Sequence, residues 1–260
     1  MTWDAHCHVF GPAEVFPYPP DAPYRPTDAP LADLMRLHTE HGFGRAVLVQ
    51  PAAYGRDHDA LLAALAAGAG RYRGVALVDK EMPDAQVVRL DAAGVRGARV
   101  NLVAHLQTGP PVDVVALAKR IDAFGWHLAL HVSGTGIVEQ EELVRSLPTP
   151  VVIDHMARVD RADGPAVDAL RRLLDTGRVW VKLSGADRLD MPLPDAVALA
   201  RLLMRTAPER VVWGTDFPHP NRPQPAPSDA ELVKAIDEIA PTPEERELLL
   251  VDNPTRLFGS

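Results

Sequence analysis

Four histidines and one aspartate fall at the ends of separate apolar runs, and their types suit metal binding or the activation of water. His6 and His8 flank Cys7, His131 lies near the end of a run that begins at His127, His155 follows Asp154, and Asp216 closes Trp213-Gly-Thr-Asp. Side chains alternate along a strand, so His6 and His8 at i and i+2 share one face while Cys7 takes the other. Two imidazoles from one strand, a third from His131 and the carboxylate of Asp216 make an N₃O set. Such a set suits one divalent ion, Zn²⁺, Mn²⁺ or Fe²⁺, with a position left open for water. The same groups can also orient a water with no ion present, so the residues are compatible with one Zn²⁺ or Mn²⁺ or with none. His155 then stands beside the set as an acid or electrophile. A lone buried histidine is commonly a hydrogen-bonded core residue. Four of them, with Asp216, at the same end of four runs are a site.

Positioning these groups requires strands that end at a common rim. Eight short runs rich in Val, Ile and Leu recur along the chain, at Trp3 to His8, Arg45 to Gln50, Gly74 to Val78, Val95 to Leu102, His127 to Val132, Val151 to His155, Val179 to Ser184 and Val211 to Thr215. After the first, they start roughly 20 to 30 residues apart, the length of one βα unit. Between them, Leu31 to His41, Asp57 to Gly68, Val112 to Phe124, Ala166 to Thr176 and Ala196 to Thr206 carry apolar residues at helical spacing. Asp57, Asp84, Asp113 and Ser228 read as helix starts, and Gly42, Gly125 and Gly177 as helix exits. Strands that alternate with helices imply a covered parallel sheet. Eight units predict an α/β fold, a (β/α)₈ TIM barrel forming one domain over residues 1–260. A dinucleotide-binding sheet is disfavoured, because no G-x-G-x-x-G follows an early strand. The proline-dense stretch Pro12 to Pro30 reads as a structured loop over one end of the barrel.

Composition narrows the class further. The 260 residues carry 27 Lys and Arg against 35 Asp and Glu, a net charge of −8, with no basic run. That argues against a surface for nucleic acid or an anionic membrane. A single cysteine, Cys7, excludes an intrachain disulfide. The opening residues MTWDAHCHVF lack the basic and apolar regions of a signal peptide, and no apolar stretch is long enough to span a bilayer, so cytoplasmic residence is expected. Oligomeric state is left open.

The segments around these residues resemble the amidohydrolase superfamily, its amidohydrolase-2 branch, and within that branch the 2-pyrone-4,6-dicarboxylate lactonases. The likeness rests on Asp4-Ala-His-Cys-His-Val-Phe-Gly-Pro12, Gly97-Ala-Arg-Val-Asn101, Val152-Ile-Asp-His-Met156 with Arg158, Asp187-Arg-Leu-Asp190, Trp213-Gly-Thr-Asp-Phe-Pro-His-Pro-Asn221 and Asn253-Pro-Thr-Arg-Leu257. The resemblance implies a hydrolase in which Asp216 takes a proton from the water that attacks a lactone carbonyl, with His155 as its catalytic partner. It also implies that Arg99, Arg158 and Arg188, with Tyr24, Asn101 and Asn221, bind a substrate that bears carboxylates. Independently, Arg99 and Asn101 share one face of the fourth run, and an arginine deep in a covered sheet is costly unless paired with an anion. That anion is either the substrate or a protein carboxylate such as Asp154 or Asp187.

Two positions depart from the lactonase pattern: His105 replaces an arginine, and His131 replaces a tyrosine at a place where metal-dependent relatives bind Zn²⁺. The expected ligand is therefore a small carboxylated lactone of the pyrone dicarboxylate, muconolactone or sugar-acid kind. The alternatives are a metal-dependent decarboxylase with the same ligand set and a non-catalytic binding protein on this scaffold. Gln50, Tyr54 and Gly55 read as a polar turn, His219 as part of a rigid Phe-Pro-His-Pro loop, and Lys182 receives no role.

Overall fold

A computed structural model describes residues 1–103, 112–222 and 227–259; His105 lies outside them. Each apolar run forms a strand: β1 Trp3–Cys7, β2 Arg45–Val49, β3 Tyr72–Ala76, β4 Val95–Asn101, β5 His127–His131, β6 Val151–Ile153, β7 Val179–Lys182 and β8 Val211–Val212. They pair in parallel and in sequence order from β1 to β8. The ring closes through the backbone, where Ala5 N donates to Trp213 O (2.9 Å), Asp216 N to His6 O (2.7 Å) and His8 N to Phe217 O (2.8 Å). The result is a closed (β/α)₈ barrel. The last two bonds tie the histidine strand directly to the segment that bears Asp216.

The helices on the outside are α1 Leu31–His41, α2 Asp59–Ala67, α3 Asp84–Ala92, α4 Val114–Asp122, α5 Gly134–Glu139, α6 Glu141–Ser146, α7 Pro165–Leu174 and α8 Leu193–Thr206. Four short helices follow, α9 Asp229–Lys234, α10 Ile236–Ile239, α11 Pro243–Glu247 and α12 Asn253–Phe258. Asp113 and Ser228 cap α4 and α9 as expected. Asp84 opens α3 and Asp57 lies two residues before α2, so both stand at helix starts as expected, although the N-cap positions belong to Pro83 and His58 and Asp57 accepts from Asp59 N at 2.9 Å. No helix among the described residues is long and apolar enough to cross a membrane.

Strand alternation sorts the core into two layers. Outward residues such as Leu48, Ala98, Leu128, Ile153 and Val181 pack under the helices. Inward residues Val47, Val49, Val75, Ala129, Val152, Trp180 and Val212 fill the barrel together with Trp3, Ala5 and Phe258. Phe258, from α12, closes the barrel floor beside Trp3 and His127, with ring centroids 6.0 Å and 5.3 Å away.

β1 breaks the alternation, and the break creates the site. Asp4 pairs with Ala46 and Cys7 with Leu48, so three steps on β1 match two on β2. This is the one-residue insertion of a β-bulge, which re-aims the side chains beyond it. Trp3 and Ala5 lie in the inner cluster, Cys7 in the outer one, and Asp4 meets His38 of α1 (3.1 Å) on the helical side. His6 and His8 both turn inward. Asp4 then fixes the bend by accepting from His6 N (3.1 Å), Thr215 N (3.0 Å) and Thr215 Oγ1 (2.6 Å).

Candidate active site

The inward groups converge on one small cavity of about 70 Å³ at the C-terminal end of the strands. His8, Asp216, His155 and His131 form its floor and sides, and Tyr24, Arg99, Arg158, Arg188 and Asn221 complete the wall. Of the expected site residues, only His6 and Asn101 do not line the cavity; each contacts a residue that does. His6 Nε2 is 3.3 Å from His8 Nε2, and Asn101 Oδ1 is 3.3 Å from His131 Nδ1.

Three of the four expected metal donors come together. His6 Nε2 and His8 Nε2 stand 3.6 Å and 3.4 Å from Asp216 Oδ1, all buried. His8 Nδ1–H donates to Val49 O at 2.7 Å, which leaves the Nε2 lone pair turned toward Asp216. Asp216 Oδ1 is buried and has no hydrogen-bond partner. An orphaned carboxylate oxygen between two imidazole nitrogens fits a divalent cation. The fourth expected donor, His131, is not part of that group. Its Nδ1 faces Asn101, and its ring meets His155 edge-on at 5.5 Å, so its unpartnered Nε2 faces the cavity beside His155 instead.

His155 is delivered by an unusual piece of backbone. β6 stops at Ile153, and His155, Met156, Ala157 and Arg158 follow with φ of 52°, 50°, 55° and 47°. Four consecutive non-glycine residues in the left-handed region cost roughly 1–2 kcal/mol each. The turn buries Met156 and Ala157 in the outer core while His155 and Arg158 both reach the cavity. Asp216 is left-handed as well, at φ 64°. His155 Nδ1 lies 3.0 Å from Ser184 Oγ, and its Nε2 lies 3.9 Å from Asp216 Oδ1. The Ser184 hydroxyl, which can donate to Nδ1, leaves an Nε2–H to face the cavity.

Burial sets the protonation states. It pushes the His6 imidazole down to about 3, with the Lys182 ammonium adding to the effect. It also holds His131 and His155 well below the ordinary histidine value. These three imidazoles are neutral at pH 7. Burial favours the neutral acid of Asp216, but the Arg188 guanidinium together with the surrounding His155, His8 and His6 outweighs it and keeps the carboxyl well below the usual range.

The arginines divide into two kinds. Arg99 Nε pairs with Asp154 Oδ2 at 3.0 Å, and Arg188 Nε pairs with Asp216 Oδ2, so both are anchored by protein carboxylates. Arg158 makes no hydrogen bond or ion pair with the described residues; burial and the nearby Arg188 lower its pKa. A half-buried guanidinium without a counter-ion, facing a cavity, is prepared to receive an anion.

Sequence reasoning gave Lys182 no role and read His219 only as part of a rigid loop, whereas it offered Asp154 as a carboxylate partner for the arginines. Lys182 is fully buried, with Nζ 3.2 Å from Asp154 Oδ1 and 3.0 Å from His6 Nδ1. A lysine ending an apolar strand, two residues after inward-facing Trp180, was the available signal. Asp154 is the shared partner of Arg99 and Lys182. His219 is not merely part of a stiff loop: it bridges Asp187 (3.4 Å) and Asp229 (2.7 Å). Gln50, by contrast, donates to Gly55 O and Asp57 O, and the Tyr54 hydroxyl accepts from Gly11 N, so that segment is the polar turn expected of it.

Comparison with known proteins agrees with this geometry. The chain is 40% identical to the 2-pyrone-4,6-dicarboxylate hydrolase of Comamonas testosteroni, over 98% of this chain and 89% of that protein. It is 35% identical to the 4-sulfomuconolactone hydrolase of Rhizobium radiobacter, over 99% and 90%. A crystal structure from Acinetobacter baumannii, described as a probable 2-pyrone-4,6-dicarboxylic acid hydrolase with citric acid bound, superposes with a TM-score of 0.85 at 27% identity, covering 100% of this chain and 99% of that one. The amidohydrolase-2 family model, whose description is amidohydrolase, matches residues 3–260, and the chain belongs to that family.

Proposed function

We propose that this protein hydrolyses a small lactone bearing one or more carboxylates, using water activated at Asp216. The observation that carries the reading is Asp216 Oδ1, a buried and unpartnered carboxylate oxygen at the floor of a cavity walled by Arg99, Arg158 and Arg188. The named substrates of the two hydrolase relatives, a pyrone dicarboxylate and a sulfomuconolactone, both combine a lactone with further anionic groups. The citric acid in the Acinetobacter structure is likewise a polycarboxylate.

The arginines act first. Arg158 and the free Nη2 of Arg188 receive the substrate carboxylates, which places the ring over Asp216. Asp216 Oδ1 takes a proton from water as its oxygen bonds to the lactone carbonyl carbon. The neutral His155 donates from Nε2 to the carbonyl oxygen and stabilises its developing charge. Collapse of the tetrahedral adduct breaks the ring C–O bond, and the leaving oxygen takes the proton held by Asp216. The product is an open-chain acid with a hydroxyl group or its keto tautomer. His6, His8 and Asp216 would hold a divalent ion, Zn²⁺ or Mn²⁺, which when bound supplies Lewis-acid polarisation and a more acidic water. His131 is proposed as a polar wall that accepts from the substrate through Nε2.

Ring opening of a panel of carboxylated lactones, assayed with wild type and Asp216→Asn, tests the reading. Hydrolysis by wild type and a loss of about 10³-fold or more in the variant are expected. Undiminished turnover in the variant would remove Asp216 as the base. Release of carbon dioxide without ring opening would assign the site to decarboxylation.

A further inference from the structure

Two groups of potential metal donors share His6. One joins His6 to His8 and Asp216 at the cavity floor, and the other joins His6 to Asp154 and His155 deeper in the barrel. The deeper position already holds a cation, because Lys182 Nζ lies 3.2 Å from Asp154 Oδ1 and 3.0 Å from His6 Nδ1 with no exposure to solvent. A second divalent ion there would have to sit against the ammonium.

Lys182 also reaches the upper group, through the His6 ring. An ammonium has only donors, so its contact with Nδ1 requires a lone pair on that nitrogen and places the imidazole proton on Nε2. That Nε2–H faces His8 Nε2 at 3.3 Å, and His8 presents a lone pair there because its own Nδ1–H is given to Val49 O. Donors and acceptors therefore run one way, from Lys182 through His6 and His8 to Val49. A metal at His6, His8 and Asp216 needs the His6 Nε2 lone pair, which would move the proton to Nδ1 and point it at the ammonium. Asp154 Oδ1, 3.5 Å from His6 Nδ1, could accept that proton if the lysine were absent. Charge works in the same direction. Both carboxylates nearest His6 are already paired with cations, Asp154 with Arg99 and Lys182 and Asp216 with Arg188, so a dication would compete with positive charge already in place.

We propose that Lys182 sets the divalent-metal affinity of this site, by filling the deeper cation position and by holding His6 as the Nε2–H tautomer. The wild-type site around His6 then binds at most one ion, and binds it weakly for a two-histidine, one-carboxylate set. Lys182 is here a positioning residue that acts through His6.

The test is a Zn²⁺ titration against a chromophoric chelator, using metal-free wild type and Lys182→Met with no lactone present. It therefore reads independently of whether the protein is a lactone hydrolase. Tightening of Zn²⁺ binding by about tenfold or more in folded Lys182→Met is expected. Equal or weaker binding would overturn the proposal. Should Lys182→Met fail to fold, the ¹⁵N-histidine spectrum of metal-free wild type, with the His6 signals assigned by His6→Gln, decides the matter. A proton on His6 Nε2 supports the proposal, and a proton on Nδ1 overturns it.

Discussion

Arg188 donates through Nε to Oδ2 of Asp216, the oxygen turned away from the three imidazoles, and through Nη1 to Pro220 O at 2.8 Å, while its Nη2 is buried without a partner. One guanidinium thus holds the proposed base ionised and keeps a free donor for the ligand. The arrangement couples binding to basicity. A carboxylate that engages Nη2 competes for the charge that lowers the Asp216 pKa, so Asp216 becomes a stronger base when an anionic substrate is present.

Arg188→Met isolates that coupling. Without the guanidinium the Asp216 pKa rises, and because Asp216 works as the deprotonated base, the acid limb of kcat/KM moves to higher pH by about 1–3 units. At neutral pH, kcat/KM falls by about 10²-fold or more from the combined loss of anion binding and base ionisation. A pH profile of both proteins distinguishes the two contributions. A uniform drop with an unmoved acid limb would confine Arg188 to binding.

Arg158 should behave differently, because it pairs with none of the described residues. Arg158→Met removes a desolvated charge without orphaning a carboxylate, so stability is expected to hold within about 0.5 kcal/mol. KM for a carboxylated lactone should rise by roughly 10- to 100-fold, the scale of a charged hydrogen bond, with kcat little changed. Steady-state kinetics with the acid and with its methyl ester provides the check. The ester should lose the dependence on Arg158.

The histidine pattern was legible in the sequence because β-strand periodicity is simple, and residues at i and i+2 need no tertiary information. Even so, His6 reaches the interior through a bulge in β1 that no residue type announces, since Trp3, Ala5 and His6 all face inward. The left-handed turn at His155 to Arg158 contains no glycine or asparagine, the residues that mark such backbone, so it could not be read in advance. Lys182 was hidden for a different reason: its spacing from Trp180 shows the face it shares, but only the barrel shows that this face meets Asp154 and His6. The arginines were read as a group, but pairing divides them. Arg99 and Arg188 found protein carboxylates 55 and 28 residues away in sequence, a distance that composition cannot resolve.

Gly185 offers a test of how tightly His155 must be held. It follows Ser184 at φ +63°, and a Cβ there would lie 2.6 Å from His155 Nδ1. Gly185→Ala should push the imidazole off Ser184 and lower kcat by about tenfold or more. Gly177→Ala is the matched control, with φ +70° and nothing within 4 Å of the added methyl. Both variants bear the left-handed cost of about 1–2 kcal/mol, so only the Gly185 variant should lose turnover beyond its loss of stability. Equal kinetics in the two would mean that the Ser184–His155 contact is dispensable.

His219 makes the site's framework sensitive to alkaline pH. Burial disfavours its charge, but the carboxylates of Asp187 and Asp229, the second hydrogen-bonded to Nε2, prevail and raise its pKa to about 9. A pKa above the unfolded value of about 6.5 means that the native state binds the extra proton. The stabilisation is complete below about pH 6.5 and is lost as pH rises through 9, with a magnitude on the order of 3 kcal/mol. Asp187 precedes Arg188, and His219 precedes Pro220, the two residues joined by the Arg188 Nη1 bond, so the imidazolium clamps together the loops that hold the base. Urea unfolding of wild type and His219→Gln at about pH 6 and pH 10 measures this, the variant serving to subtract other groups that titrate in the same range. The difference in stability between the two proteins should be large at the lower pH and nearly vanish at the higher. A difference independent of pH would show that His219 contributes by packing and not by charge.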